Sequence, residues 1–261
     1  MKALLSISKL AFREKLAYPK AVLWSGIFYI VILTVFINLW QQLYVNDTLY
    51  DFDFSFEEIV VYFVVSQIII SSLIKKSLPI SLEVQKGDLA YKLVKPIYYV
   101  NYHLADMLGQ LLWRGFFFTS LGFFYLTLFY DLPILSIGQV SIALLSILLG
   151  VLIDFFLNVI IGLFSFWFGD NYAVDWLYQK MLILFGGAMA PIDIFPDWLL
   201  RITDYLPFKH IIYLPTRFLL RPNPIDVCPI ILSQCLWLFI AMCFTYFLFF
   251  FAQRKLSIQG G

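Results

Sequence analysis

The chain has 261 residues, of which 62% are hydrophobic, 20% aromatic and 13% charged, whereas soluble domains run to about 45–50% apolar and about 25% charged. Together with a mean hydropathy of +0.85, this excludes an ordinary soluble globular protein and leaves room for about six bilayer spans of about 20 residues each. Eighteen Lys and Arg against 17 Asp and Glu leave a net charge of +1, so nothing global points to nucleic acid or a strongly acidic partner.

From the N-terminus, Leu4, Ile7, Ala11 and Tyr18 recur at helical spacing while Lys2, Lys9 and Arg13 take the opposite face. The pattern predicts an interfacial amphipathic helix over residues 1–20 that enters the membrane at Pro19, with a plain polar lead-in as the alternative. Lys2, Lys9, Arg13 and Lys15 are spread through this stretch, unlike the charged start and apolar block of a cleaved signal peptide.

Six apolar runs follow, at residues 21–43, 59–74, 108–130, 140–168, 176–190 and 230–251. Lys75 and Lys76 close the second, Asp131 to Pro133 marks a turn after the third, Pro191 stops the fifth, and Arg254 and Lys255 close the last. Each reads as a membrane span. With six spans both termini share one side. Thirteen Lys and Arg fall on that side (Lys2, Lys9, Arg13, Lys15, Lys20, Lys75, Lys76, Lys86, Lys92, Lys95, Lys180, Arg254, Lys255) and four on the other (Arg201, Lys209, Arg217, Arg221). Both ends are therefore expected in the cytoplasm. The loop at residues 45–58, with Asp47, Asp51, Asp53, Glu57, Glu58 and no base, fits an outer position.

Two segments depart from plain spans. Residues 77–106 are too short for a domain and too mixed for a span; Leu82, Leu89, Tyr91 and Leu93 around Gly87 suit a surface that presses on another protein, or else a solvated hairpin. Residues 191–227, interrupted at Pro191, Pro196, Pro207 and Pro215, suit re-entrant or interfacial helices on the outer face, with Trp198, Tyr205 and Tyr213 at headgroup level.

Charges inside spans are costly, about 2.5–3.5 kcal/mol at mid-helix on insertion scales, and so are functional candidates. Arg114 is expected near the inner end of its span, where its stem can snorkel. Asp154, beside Phe155, Phe156 and Asn158, is expected to face protein or water, through a bond to another span or a substrate contact. An aromatic cavity around Asp154 and residues 164–168, with Phe166 and Trp167, is the candidate substrate path. Asp106 is expected to cap the third span. Cys228, Cys235 and Cys243 lie in or just before one helix and, with His103 and His210, lack the spacing of a metal cage. No glycine-rich phosphate loop, HExxH or GxSxG is present, so any nucleotide motor sits elsewhere.

The order of these elements resembles the permease subunits of ABC-2 type ABC transporters. The stretch Gly87-Asp88-Leu89-Ala90-Tyr91-Lys92-Leu93-Val94-Lys95-Pro96 is similar to that family's inner-loop pattern, with Ala90 where Asp is usual. The segments 166–168, 191–198, 206–208 and the Arg254-Lys255 tail are similar to its later half. The resemblance implies a single all-α transmembrane permease domain over residues 1–261, forming half of a transport path with a second permease, identical or a sister subunit. It implies two separate ATPase subunits that carry ATP and Mg, no cofactor on this chain, no nucleic acid, and a multi-pass location in a bacterial cytoplasmic membrane. By position it assigns ATPase coupling to Leu82, Glu83, Lys86, Gly87, Asp88, Leu89, Tyr91, Leu93, Lys95 and Pro96, and docking-groove roles to Lys9, Arg13 and Lys15. Replacing Gly87, Leu89, Tyr91 or Lys95 is then expected to uncouple transport without unfolding the chain. An amphiphilic or bulky cargo is expected to be exported. The alternatives are an intramembrane lipid-modifying enzyme using Asp154 as acid or base, and a scaffold that anchors an ATPase without moving cargo.

Overall fold

Long apolar runs leave the backbone no water to bond with, so each closes its own hydrogen bonds as helix. The computed structural model describes residues 2–45, 54–130, 136–221 and 224–255, and every regular element among them is helical. In chain order these are α1 (Lys2–Leu16), α2 (Pro19–Val45), α3 (Phe56–Ser72), α4 (Ser77–Gln85), α5 (Asp88–Leu93), α6 (Tyr99–Phe129), α7 (Ile137–Leu163), α8 (Ser165–Phe168), α9 (Tyr172–Phe185), α10 (Asp197–Asp204), α11 (Tyr213–Leu220) and α12 (Pro224–Arg254). Asp47, Asp51, Asp53 and the expected turn at Asp131 to Pro133 lie outside the described residues.

Among the described residues, five helices are long and apolar enough to cross a membrane: Lys20–Val45, Phe56–Gln85 including a break, Tyr99–Phe129, Ile137–Phe168 and Asp226–Arg254. The fifth expected span, residues 176–190, is only partly helical. α9 has 14 residues, about 21 Å at 1.5 Å per residue against a hydrocarbon core of about 30 Å. It ends at Gly186, and Gly187 takes φ of 76°. There the Tyr62 hydroxyl of α3 donates to the Gly187 carbonyl at 2.5 Å, satisfying backbone that the helix no longer covers.

The expected amphipathic helix is α1, and it packs along the start of α6. Ala11 is buried, Ser8 Oγ donates to the Ala105 carbonyl at 2.6 Å, and Phe12 meets Trp113 edge-on at 5.9 Å. Gly109 makes this approach feasible, since a Cβ there would lie 2.1 Å from the Ser8 carbonyl oxygen. Small residues at helix crossings of this kind allow close backbone contact in membranes. Tyr18, expected on the buried face, is exposed.

The main core joins α3, α4, α6, α7, α9 and α12, with Ile80, Val159, Leu163, Leu182 and Phe249 among its buried members. At one end of the bundle lie α1, α4, α5, α8 and the last turn of α12. Gln85 Nε2 there donates to the Gly169 carbonyl at 2.7 Å, and Lys255 Nζ sits 5.4 Å from the Trp167 ring. Both ends of the described chain thus share that end. At the opposite end, Arg221 after α11 grips Glu58 of α3 with two bonds of 2.9 and 2.8 Å. Glu58 also closes a capping box with Ser55, which satisfies orphan amide groups at the α3 N-terminus.

The segment expected to be re-entrant is a layer of short pieces: a 3-10 turn at Ile192–Ile194, α10, a second at Phe208–His210, then α11. Ile211, Ile212 and Leu214 are buried. Trp198 and Tyr205 are exposed, whereas Tyr213 turns inward and donates to Asp193 at 2.6 Å. His210 is buried against α12, its Nε2 3.1 Å from Ser233 Oγ and its Nδ1 without a partner. Burial, reinforced by Lys209, lowers its pKa to about 4.

Candidate functional site

Residues 73–98 form the chief candidate, starting at the break that separates α3 from α4. Leu73 adopts φ −59° and ψ 142°, which ends α3, and its carbonyl accepts a bond of 3.0 Å from Arg114 Nη1. Three residues on, the buried Lys76 pairs with Asp106, which also accepts from Gln110 at 3.1 Å. Lys76 therefore does not close a span as a solvated charge, and Asp106 does not cap one: α6 starts at Tyr99, and Asp106 lies in its third turn. Two ties from α6 thus flank the break.

Beyond the break, Ser77 donates to the buried Asp175 of α9, and Asn171 Nδ2 donates to the Ser77 and Ile161 carbonyls at 3.2 and 3.1 Å. These bonds fix the start of α4. Its far end is held by Glu83, which pairs with Lys92 at 2.5 Å, accepts from the Tyr99 hydroxyl at 2.8 Å and meets His103 Nε2 at 3.3 Å. Lys92 Nζ also lies 4.7 Å from the Tyr102 ring, a cation–π distance.

Gly87 joins α4 to α5 with φ of 75°, and its amide donates to the Val84 carbonyl at 3.2 Å. A glycine just past a helix end takes this left-handed conformation without a Cβ penalty. The turn drops Leu89 into the core, where it is 0% exposed, and leaves Tyr91 at 78%. Leu82, Val94 and Tyr98 join Tyr91 as exposed apolar side chains, with Lys86, Asp88, Lys95 and Pro96 exposed among them. Leu93 is partly buried against the main core. The predicted coupling residues therefore split. Leu89, Glu83 and Leu93 anchor the platform, while Leu82, Lys86, Asp88, Tyr91, Lys95 and Pro96 face outward. Leu89 accordingly cannot be broken without loosening the fold. Val94 and Tyr98 belong to the outward face too, and only the packing of α5 identifies them.

The three α1 cations also separate. Lys9 and Arg13 are exposed, whereas Lys15 turns into a polar cavity of about 520 Å³ between α1, the 73–76 break, α5 and α6. Beside it lies an apolar cavity of about 330 Å³, walled by Phe28, Tyr29, Ile32 and Phe36 of α2 and by Ile183 and Met189 on the α9 side. Ile70 and Arg114 line both.

Asp154 and Asn158 are buried in α7. Asp154 accepts from the Tyr178 hydroxyl at 2.6 Å, and Asn158 Nδ2 donates to the Asp154 carbonyl at 2.9 Å. This is the bond to another expected span. Phe166 packs on the main core and Trp167 lies under Lys255. None of these four lines either cavity above. Among the described residues, no group of three or more His, Cys, Asp or Glu is placed to hold a metal ion.

A family model described as "ABC-2 family transporter protein" matches residues 22–260. The chain belongs to the ABC-2 transporter family. No curated protein matches it. This permease is a multi-pass membrane protein of an ABC transporter, all-helical throughout its described residues. The matched region begins after α1, so the packing of α1 on α6 is read from the structure and not from the family.

Proposed function

We propose that this permease forms half of the substrate path of an ATP-driven exporter, paired with a second permease and with two ATPase subunits that bind ATP and Mg. The ATPase docks on the α4–α5 platform, at the cytoplasmic face of a bacterial inner membrane. The observation that carries this reading is the outward set Leu82, Tyr91, Val94 and Tyr98, exposed beside Lys86 and Lys95 on a platform whose underside is anchored by Leu89 and Glu83. Exposed apolar side chains rimmed by charge mark interaction surfaces. The gathering of both ends of the described residues at the platform end, together with the Lys and Arg count, supports cytoplasmic termini.

Closure of the ATPase dimer then pushes α4 and α5 as one body. The push reaches α3 through the 73–76 break and α6 through Lys76–Asp106 and Arg114–Leu73. α9 follows through Asp175 and Asn171. Because α3 and α9 both wall the apolar cavity, its width changes with the platform. Purification of the tagged full chain from native membranes in mild detergent, followed by mass spectrometry, tests the reading. Recovery of an ATPase, lost in Tyr91→Ala, is expected; a chain that emerges alone even when co-expressed with candidate ATPases overturns it.

A further inference from the structure

The polar cavity beside the break holds more cations than its carboxylates use. Lys76 is committed to Asp106 and Lys92 to Glu83. Among the described residues, Lys15, Lys75 and Arg114 line the same space with no carboxylate within ion-pair distance, and the remaining carboxylate, Glu14, is exposed at the rim. Arg114 gives one Nη to the Leu73 carbonyl, which leaves guanidinium donors for a further acceptor. Arginine and lysine together form the usual receptor for a phosphate group, the arginine through its planar fork and the lysine as a point charge.

The apolar cavity begins where this cationic cluster ends, at Ile70 and Arg114. Ser25, Gln67 and Ser71 are the polar residues besides Arg114 in its lining. Phe28, on its α2 wall, is 67% exposed, so that wall reaches the surface of the chain. Both volumes fall within the roughly 300–1,000 Å³ of small-molecule sites. A ligand that fills both must carry negative charge at one end and hydrocarbon at the other.

We propose that Lys15, Lys75 and Arg114 hold the phosphate head of an anionic membrane lipid whose chain enters the apolar cavity beside α2. The permease thus takes its ligand sideways from the leaflet on the platform side. The inference rests on the permease reading only in calling that lipid cargo. The binding site stands on the two cavities alone.

Native mass spectrometry of the full chain released from nanodiscs containing equal phosphatidylglycerol and phosphatidylcholine tests it. Wild type is expected to retain phosphatidylglycerol preferentially. Lys15→Gln and Lys75→Gln, at lysines without a hydrogen-bond partner among the described residues, should each lower that retention about fivefold, from the approximate worth of one cation near an anionic surface. Ser71→Phe, which fills the apolar cavity without touching charge, should lower it as well. Lys20→Gln with Lys180→Gln removes twice the charge of either single variant, outside the cavity, and should leave it unchanged. Equal retention of both lipids overturns the proposal. So does an equal loss in the Lys20/Lys180 control, which marks general surface attraction, or displacement of the lipid by millimolar inorganic phosphate alone, which marks a phosphate site without a chain. Preferential lipid retention by a permease that recruits no ATPase supports the site while removing the exporter reading.

Discussion

Leu89 and Tyr91 sit two residues apart on α5 and are expected to fail in opposite ways. Leu89 is fully buried and Tyr91 is 78% exposed. Leu89→Ala removes a packed side chain from beneath the platform, at a cost of about 2–5 kcal/mol for a buried leucine. With a factor of ten for each 1.4 kcal/mol, detachment of α5 becomes at least about thirtyfold more favourable. Tyr91→Ala removes nothing the folded chain packs on, so its effect on stability should stay within about 0.5 kcal/mol. If Tyr91 is an anchor for the ATPase, its loss should weaken that contact by about 2 kcal/mol or more. Two assays on the purified full chain separate the pair: thermal unfolding in detergent, and ATPase recovery from co-expressing cells. Leu89→Ala should melt early, and Tyr91→Ala should melt like wild type while losing the ATPase. If Tyr91→Ala melts as early as Leu89→Ala, or holds the ATPase with wild-type yield, the division into anchor and contact is wrong.

Asp106→Asn leaves the buried Lys76 ammonium without its counter-charge and should cost about 3–5 kcal/mol in thermal unfolding, whereas Lys76→Met with Asp106→Leu should be far milder. Tyr178→Phe removes the donor to buried Asp154 and should destabilise by about 1–3 kcal/mol; unchanged melting would show that water takes the place of the hydroxyl. His210 is held neutral, with a folded pKa of about 4 against about 6.5 when unfolded. The unfolded chain therefore takes up this proton first as pH falls, and up to about 3 kcal/mol of stability present above pH 6.5 is lost by about pH 4. His210 lines a cavity together with Lys209, Arg217, Asp204 and Asp226, so His210→Gln is the control: it should flatten the melting slope between pH 6.5 and 4, and an unchanged slope would assign that slope to the carboxylates.

Hydropathy located the long helices because burial in lipid acts on every residue of a run. It could not find the end of α9, since Ala188, Met189 and Ala190 continue the apolar signal past the Gly186–Gly187 turn. Nor could it find the start of α6, where Asn101, His103 and Asp106 read as loop but face other parts of the protein. His103 meets Glu83, Asp106 meets Lys76, and the Tyr246 hydroxyl reaches Asn101 at 3.1 Å. The platform residues were legible by type and position along the chain. The division between Leu89 beneath and Tyr91 above follows from the direction in which Gly87 turns, and this is decided by packing. Lys15 separated from Lys9 and Arg13 for the same reason.

The way Gln234 reaches across the bundle bears on how the protein is made. Its Nε2 donates to the His210 carbonyl at 2.8 Å and to the Ser146 carbonyl at 3.2 Å, and its Oε1 accepts from Ser146 Oγ at 3.0 Å. The short pieces between α9 and α12 therefore cannot complete their bonds when they leave the ribosome. They must await a residue 24 positions further on, about one to five seconds of synthesis at 5–20 residues per second. During that interval the His210 carbonyl lacks the side chain that will bond it, and the short pieces have no final helix to lie against. A chain truncated before α12 should be recognised there by membrane quality control.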